Sequence, residues 1–379
     1  MHPDEQPATR HRPETLFSVG VALALIASVA WLAAHTTRLA ESRADADVAT
    51  PAPPAPTVHN STPAIPATYA DLPLGPATTL PFVDLAGRLR LGAAPQPVHG
   101  SRMSMAGWTV LMYERAAHPG PVWIARRGST VQVPGLWTQP VLSKDGSRLF
   151  ALQETGKDTS ALIAVDTVSG KEVDRRALDG APSATALLGT DRRRVYFRTM
   201  PSSGRLTSSL PPVVAWDPGR SSQRISLPLD HQQLSPLRRG ALLHNPGDAE
   251  ARFAALEADG SLAQPGVRTP LPGTVADSPD GSVVAVAGDP DDPDASDPAA
   301  ERGFAVDMST SDLVDLRIPM SVETVHVAGF ESDRSLVLHT SSAADSWYLR
   351  CWVDTGSCDR ITGSSRTPEG HQIRIPGLP

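Results

Sequence analysis

The chain has 379 residues, 40% of them hydrophobic, and a formal net charge of −7, enough for one large domain or two medium ones with a sizeable core. No basic stripe with interleaved aromatic residues occurs, which excludes nucleic acid as a partner on electrostatic grounds. Arginine outnumbers lysine 31 to 3; beside the abundant Ala and Pro this reflects GC-rich coding, and no single arginine is read as an anion ligand.

Residues 1–15 form a short tail. Leu16–Ala34, "LFSVGVALALIASVAWLAA", is uncharged and apolar, and matches the roughly 20 residues of a helix that crosses the hydrocarbon core. Trp31 near its outer end suits the membrane interface. The alternative is a cleaved signal peptide with Leu32-Ala33-Ala34 as processing site and a secreted product, but signal apolar regions are shorter, about 7–15 residues. The tail also carries Asp4, Glu5 and Glu14. The pattern therefore predicts an uncleaved transmembrane signal anchor over 16–35. Arg10 and Arg12 before the span balance Arg38 and Arg43 after it, so the positive-inside count is tied. The proline-rich stretch and the cysteine pair beyond the span suit an outer face. Residues 36–81 are dense in proline and alanine without apolar periodicity, as expected of a semi-extended linker. A folded domain is expected over 82–379.

In that domain "SKDGSRLFAL" (Ser143–Leu152) and "SPDGSVVAV" (Ser278–Val286) repeat one design. Asp-Gly is a tight-turn dipeptide, because glycine takes positive φ without a Cβ clash. The turn markers Asp145, Gly146, Asp280 and Gly281 are each followed by an apolar run of strand type. Asp191 and Asp333 mark weaker copies, and a second marker follows each as Asp166, Asp217, Asp307 and Asp354. Asp145 and Asp191 lie 46 residues apart, and Asp191 and Asp280 lie 89 apart, close to two units. Six units are visible between about Gly100 and Gly363. Each reads as an antiparallel meander of about four strands, and a 40–50-residue period of such meanders is the signature of a β-propeller. An irregular β-sandwich is the alternative. "PFVDLAGRLRLG" (Pro81–Gly92) and the tail "HQIRIPGLP" combine as a possible seventh unit. The fold class is thus all-β: a β-propeller of six or seven four-stranded blades, preceded by one transmembrane helix and a Pro-rich linker.

The Ser-x-Asp-Gly-Ser turns with their strands resemble blades of the bacterial WD40-like and TolB-like β-propellers. The resemblance covers the exported part of the chain and implies blade architecture, not function. The Trp-Asp pair typical of strict WD40 blades occurs once, as Trp216-Asp217.

Cys351 and Cys358 are the two cysteines and flank the Asp354–Gly356 turn, so strand pairing brings them within disulfide range. An oxidising compartment favours that bond. "GDPDDPDASDPAAE" (Gly288–Glu301) lacks the fixed spacing of a Ca²⁺ loop and reads as a solvated insert. His326 and His339 could approach one another and read as structural. Trp123, Trp216 and Trp352 sit on the third strand of their units and read as packing between blades. No nucleophile elbow, zinc motif or phosphate loop occurs, so no catalytic, metal or cofactor-binding residue is nominated and no cofactor is expected. The reading that follows is a membrane-tethered, extracytoplasmic, non-enzymatic scaffold of the cell envelope, with the membrane and an envelope protein as partners. The alternative is an envelope hydrolase or lyase whose residues gather at the channel mouth.

Overall fold

The computed structural model describes residues 65–376 except 115–118, 201–209, 221, 226, 228–232, 246–249, 256–261, 263–267, 271, 289–302, 309, 311, 320–321, 323, 342–345, 363–365, 368–369 and 372. These belong to the second of two compact units, 55–379. The apolar span over 16–35, the first part of the linker and most of the aspartate-rich insert lie outside the described residues. Among the described residues no helix is long and apolar enough to cross a membrane.

The described residues are all-β apart from two single turns of 3-10 helix, Tyr69–Asp71 and Pro182–Ala184. Seven successive sheets hold the described strands apart from Leu74–Gly75 and the short pair Arg366–Thr367 and Gly370–His371, the second and third sheets being continuous through one long strand. Sheet 1 holds Phe82–Val83, Arg88–Arg90 and Pro95–Pro97; sheet 2 holds Arg102–Ala106, Thr109–Tyr113, Gly120–Arg126 and the first part of Ser129–Leu142. Sheet 3 takes the rest of that long strand, then Arg148–Gly156, Thr159–Asp166 and Glu172–Asp179. Sheet 4 is Thr185–Thr190, Val195–Thr199, Val213–Trp216 and Gln223–Ile225; sheet 5 is Gln233–Leu237, Gly240–His244, Glu250–Ala254 and Arg268–Pro270. Sheet 6 is Pro272–Asp277, Val283–Gly288, Gly303–Asp307 and Asp312–Asp315; sheet 7 is Thr324–Ser332, Ser335–Ser341, Ser346–Trp352 and Cys358–Ile361. Within each sheet consecutive strands pair antiparallel, as a meander.

The second and third strands are apolar without alternation because both of their faces are covered. Leu149, Phe150, Ala151 and Leu152 are all fully buried. Leu149 and Ala151 pack into sheet 2 with Leu111 and Ile124, while Phe150 and Leu152 pack into sheet 4 with Val195 and Phe197. Sheet 6 repeats the rule: Val284 and Val286 face sheet 5, and Val283, Ala285 and Ala287 face sheet 7. Tyr196 meets Leu243 between sheets 4 and 5, Val337 meets Leu80 between sheets 7 and 1, and Leu89 meets Met112 between sheets 1 and 2. Seven apolar interfaces thus join seven sheets in one cycle, which is the packing of a β-propeller. Closure is made by the tail: Val83 and Arg374 exchange backbone hydrogen bonds of 2.8 and 2.9 Å. The C-terminal segment so supplies sheet 1 with its fourth member, and the seventh unit left open by the sequence is present.

The Ser-x-Asp-Gly-Ser turns are built alike. Ser143 Oγ donates to Asp145 Oδ1 at 2.6 Å, as do Ser147 N and Oγ at 3.0 and 2.8 Å, and Arg148 N donates to Ser143 Oγ at 2.9 Å. Asp280 receives the same bonds from Ser278 and Ser282. Burial pushes the Asp145 carboxyl up, but the bonds from Ser143 and Ser147 outweigh it and hold it low. At Asp280 the backbone bond from Ser282 leads and holds the carboxyl well below the usual range. These turns also bond to their neighbours. Thr109 Oγ1 donates to Gly146 O, Lys144 N to Asp191 O, Arg238 N to Asp277 Oδ2 and Asp280 N to Asp333 Oδ1, at 2.5–3.0 Å.

The linker expected to reach Pro81 stops earlier. Tyr69, Leu72 and Leu80 are buried, and Leu74–Gly75 adds a parallel strand to the outer edge of sheet 7. The strap is held by a buried Glu331–Arg350 ion pair. Thr78 Oγ1 and Thr79 N donate to Glu331 at 2.7 and 2.6 Å, and Arg350 donates to the carbonyls of Pro76 and Ala77. Proline density signals a spacer, yet the free edge of sheet 7 and two buried charges that need partners recruit this stretch as structure.

Two measurements test this account. Gly146 has φ +69, and a Cβ there would meet Ala106 O at 2.5 Å; Gly128 has φ +84 with nothing within 4 Å. Gly128→Ala is expected to cost about 1–2 kcal/mol from the backbone alone, and Gly146→Ala roughly 3 kcal/mol or more, in denaturant unfolding. Burial pushes Glu331 up, but Arg350, Thr79 and Thr78 hold its carboxyl below the ordinary glutamate value of 4.5. Its contribution to stability is therefore present above pH 4.5 and fades as pH falls through the lower folded value. Glu331→Gln should flatten the stability profile between about pH 5 and 3 in pH-jump melts.

Candidate functional site: the central channel

The first strands of sheets 2 to 6 face a common cavity. A cavity of about 360 Å³ is lined by the first strands of sheets 2 to 6 and residues flanking them, within the size range of ligand sites. Its wall is largely apolar, with Met105, Val141, Leu188, Pro236 and Val275. Ser104, Thr190, Ser235, Lys144 and His244 supply its polar groups. Thr190 Oγ1 is committed to Leu142 O at 2.6 Å. Between sheets 3 and 4 the first strands are joined by Gln139, whose backbone sits at φ 49. Its side chain donates to Thr185 O at 2.8 Å and accepts from Leu187 N at 3.0 Å, which holds that left-handed conformation in place.

Polar contacts stitch one end of the channel across its axis. Lys144 Nζ of sheet 3 lies 3.1 Å from Asp277 Oδ1 of sheet 6. Those sheets are three places apart in the cycle, so the pair crosses the axis. Arg238 of sheet 5 donates its backbone N–H to Asp277 and its guanidinium to the carbonyl of Lys144, and Arg192 of sheet 4 donates to Pro279 O at 3.2 Å. The Asp277 side chain is 4% exposed. Desolvation pulls the Arg238 guanidinium down, opposed by the charge of Asp277. Further ion pairs join neighbouring sheets: Arg148 and Arg193 reach Asp217, and Arg334 bridges Asp307 and Asp354.

The turn markers Asp145, Gly146, Asp280 and Gly281 lie at this stitched end, where they shape backbone. Cys351 and Cys358 are a directly opposed pair on neighbouring strands, joined by a disulfide with Cα atoms 4.1 Å apart. Both are buried beside the strap in the interface with sheet 6. His326 and His339 are cross-strand partners with stacked rings 6.2 Å apart, and His339 Nε2 meets Ser346 Oγ at 3.0 Å. Trp123, Trp216 and Trp352 all lie on third strands. Trp216 is buried against Phe150, and Trp123 packs between sheets 1 and 2 and stacks on His99.

Lys144, Arg238 and Asp277 were not singled out from the sequence. One signal was available: Lys144 is one of only three lysines and stands at the variable position of the Ser-x-Asp-Gly-Ser turn. Its partner lies 133 residues away, and only ring closure brings the two together.

No protein-family model and no curated protein sequence matches the chain. Solved structures similar to it include prolyl endopeptidase (12% identity, TM-score 0.47, covering 72% of this chain and 43% of that one). TolB from Acinetobacter baumannii aligns at 12% identity and TM-score 0.39, covering 70% of this chain and 65% of that one. The β-propeller domain of the Trilobed protease from Pyrococcus furiosus aligns at 10% identity and TM-score 0.45, covering 69% and 83%. The chain spans under half the length of the prolyl endopeptidase. The class of this protein, a β-propeller with a channel stitched at one end, rests on its own strand order and inter-sheet packing.

Removing Asp277 leaves Arg238 facing a buried gap. Asp277→Ala is expected to cost about 3–5 kcal/mol, with much of it recovered in Asp277→Ala/Arg238→Met, by denaturant unfolding of both variants.

Proposed function

We propose that the chain is a membrane-tethered, extracytoplasmic β-propeller that acts as a non-enzymatic binding scaffold of the cell envelope. The observation that carries the reading is the bonded Cys351–Cys358 pair, which uses every cysteine of the chain and fits an oxidising compartment. The uncharged run over 16–35 then acts as signal anchor, and the proline-rich stretch up to the strap as spacer. A closed ring offers two faces for partners. The alternative, an envelope hydrolase or lyase at the channel mouth, needs convergent carboxylates or histidines. The described lining of the cavity offers Lys144 and His244 and no carboxylate.

The test is affinity capture of the full-length tagged chain from cross-linked native membranes, beside a control that ends at residue 64. A defined envelope protein is expected only where the propeller is present, and both cysteines should resist alkylation until reduced. Free thiols in the native protein, or robust turnover of envelope glycans or peptides by the purified chain, would overturn the reading.

A further inference from the structure

The channel cavity has one feature that the scaffold role does not use. Lys144 is the one lysine or arginine of its described lining, and no carboxylate lines it. Asp277, which pairs with Lys144, is almost fully buried and is also met by Arg238. The hydroxyls of Ser104 and Ser235 stand on the first strands of sheets 2 and 5, and the remaining wall is mostly apolar. A mostly apolar cavity with a single cation at its stitched end selects an anion attached to an apolar body. A neutral molecule of the same shape leaves the ammonium without a new partner. A cation meets repulsion from it.

We propose that this cavity is a binding site for a small apolar carboxylate, which enters from the end opposite the stitch and places its carboxylate on Lys144 Nζ. The entering carboxylate competes with Asp277 for Lys144, while Arg238 keeps Asp277 paired. The hydroxyls of Ser104 and Ser235 line the same cavity and supply its remaining side-chain donors besides Thr190 and His244. The shared chemistry is found in a short acyl carboxylate and in an apolar peptide C-terminus. The inference is independent of the tether and of any protein partner, so loss of either proposal leaves the other standing.

The experiment is titration calorimetry on the purified full-length chain with soluble probes: hexanoate, hexanol and hexylamine for the acyl source, and acetyl-leucine and acetyl-leucinamide for the peptide source. Saturable binding of hexanoate or acetyl-leucine is expected, at least tenfold tighter than of the neutral or cationic counterpart. Whichever carboxylate binds more tightly identifies the source. Lys144→Met should weaken the carboxylate at least tenfold and leave the neutral probe unchanged. Ser104→Leu, which fills part of the cavity from the first strand of sheet 2, should abolish binding with the fold intact, and it serves if Lys144→Met fails to fold. Equal binding of hexanol and hexanoate, undiminished carboxylate binding in either folded variant, or no binding of both carboxylates overturns the proposal.

Discussion

Strands such as Leu149–Leu152 and Val283–Ala287 carry apolar side chains on both faces and are buried on both. A single meander of this kind exposes two greasy surfaces, so each sheet is stable only between two neighbours. The neighbour at the end of the row must in turn be covered, and the row closes into a ring. The pairing of Val83 with Arg374 follows from this demand, since the last interface forms only when the two ends of the domain meet. The alternation of neighbours along one strand, odd residues to one side and even residues to the other, is the period-2 geometry of a pleat seen from inside a ring.

Closing the ring crowds the turns between the first and second strands around the axis. Their backbones are satisfied locally, by aspartates that accept three bonds from flanking serines, and then by neighbouring turns. At the axis this polar crowding becomes the Lys144–Asp277–Arg238 stitch. Two of its charges are largely buried, and such groups persist because each compensates the other. The channel is left with an apolar wall and one cation toward its interior. The chemistry of the candidate site is thus a by-product of how the ring is fastened.

Fastening at the rim takes another form. The outer edge of sheet 7 would present an unpaired row of backbone groups. The strap covers it with Leu74–Gly75, and Glu331 and Arg350 bind the strap's threonines and carbonyls. The disulfide at Cys351 and Cys358 locks the hairpin that carries this edge. The chain entering the domain is therefore anchored on its most heavily crosslinked sheet.

Local rules made much of this legible. The Asp-Gly turns, the apolar runs behind them and the cysteines across a hairpin are encoded within a few residues, because turn geometry and strand pairing are short-range. The repeat spacing was enough to infer stacked meanders, and the tail was visible as a candidate for the last unit. What lay beyond local rules was whatever depends on distant segments meeting. The strap looked like spacer because proline density says nothing about a free sheet edge 286 residues downstream. Lys144 and Asp277 looked like ordinary turn residues, since each is unremarkable until closure sets them across the axis. Sequence alone determined the blade, its turns and its staple; the tertiary structure decided the blade count, the strap and the channel, because contacts across a ring have no periodicity along the chain.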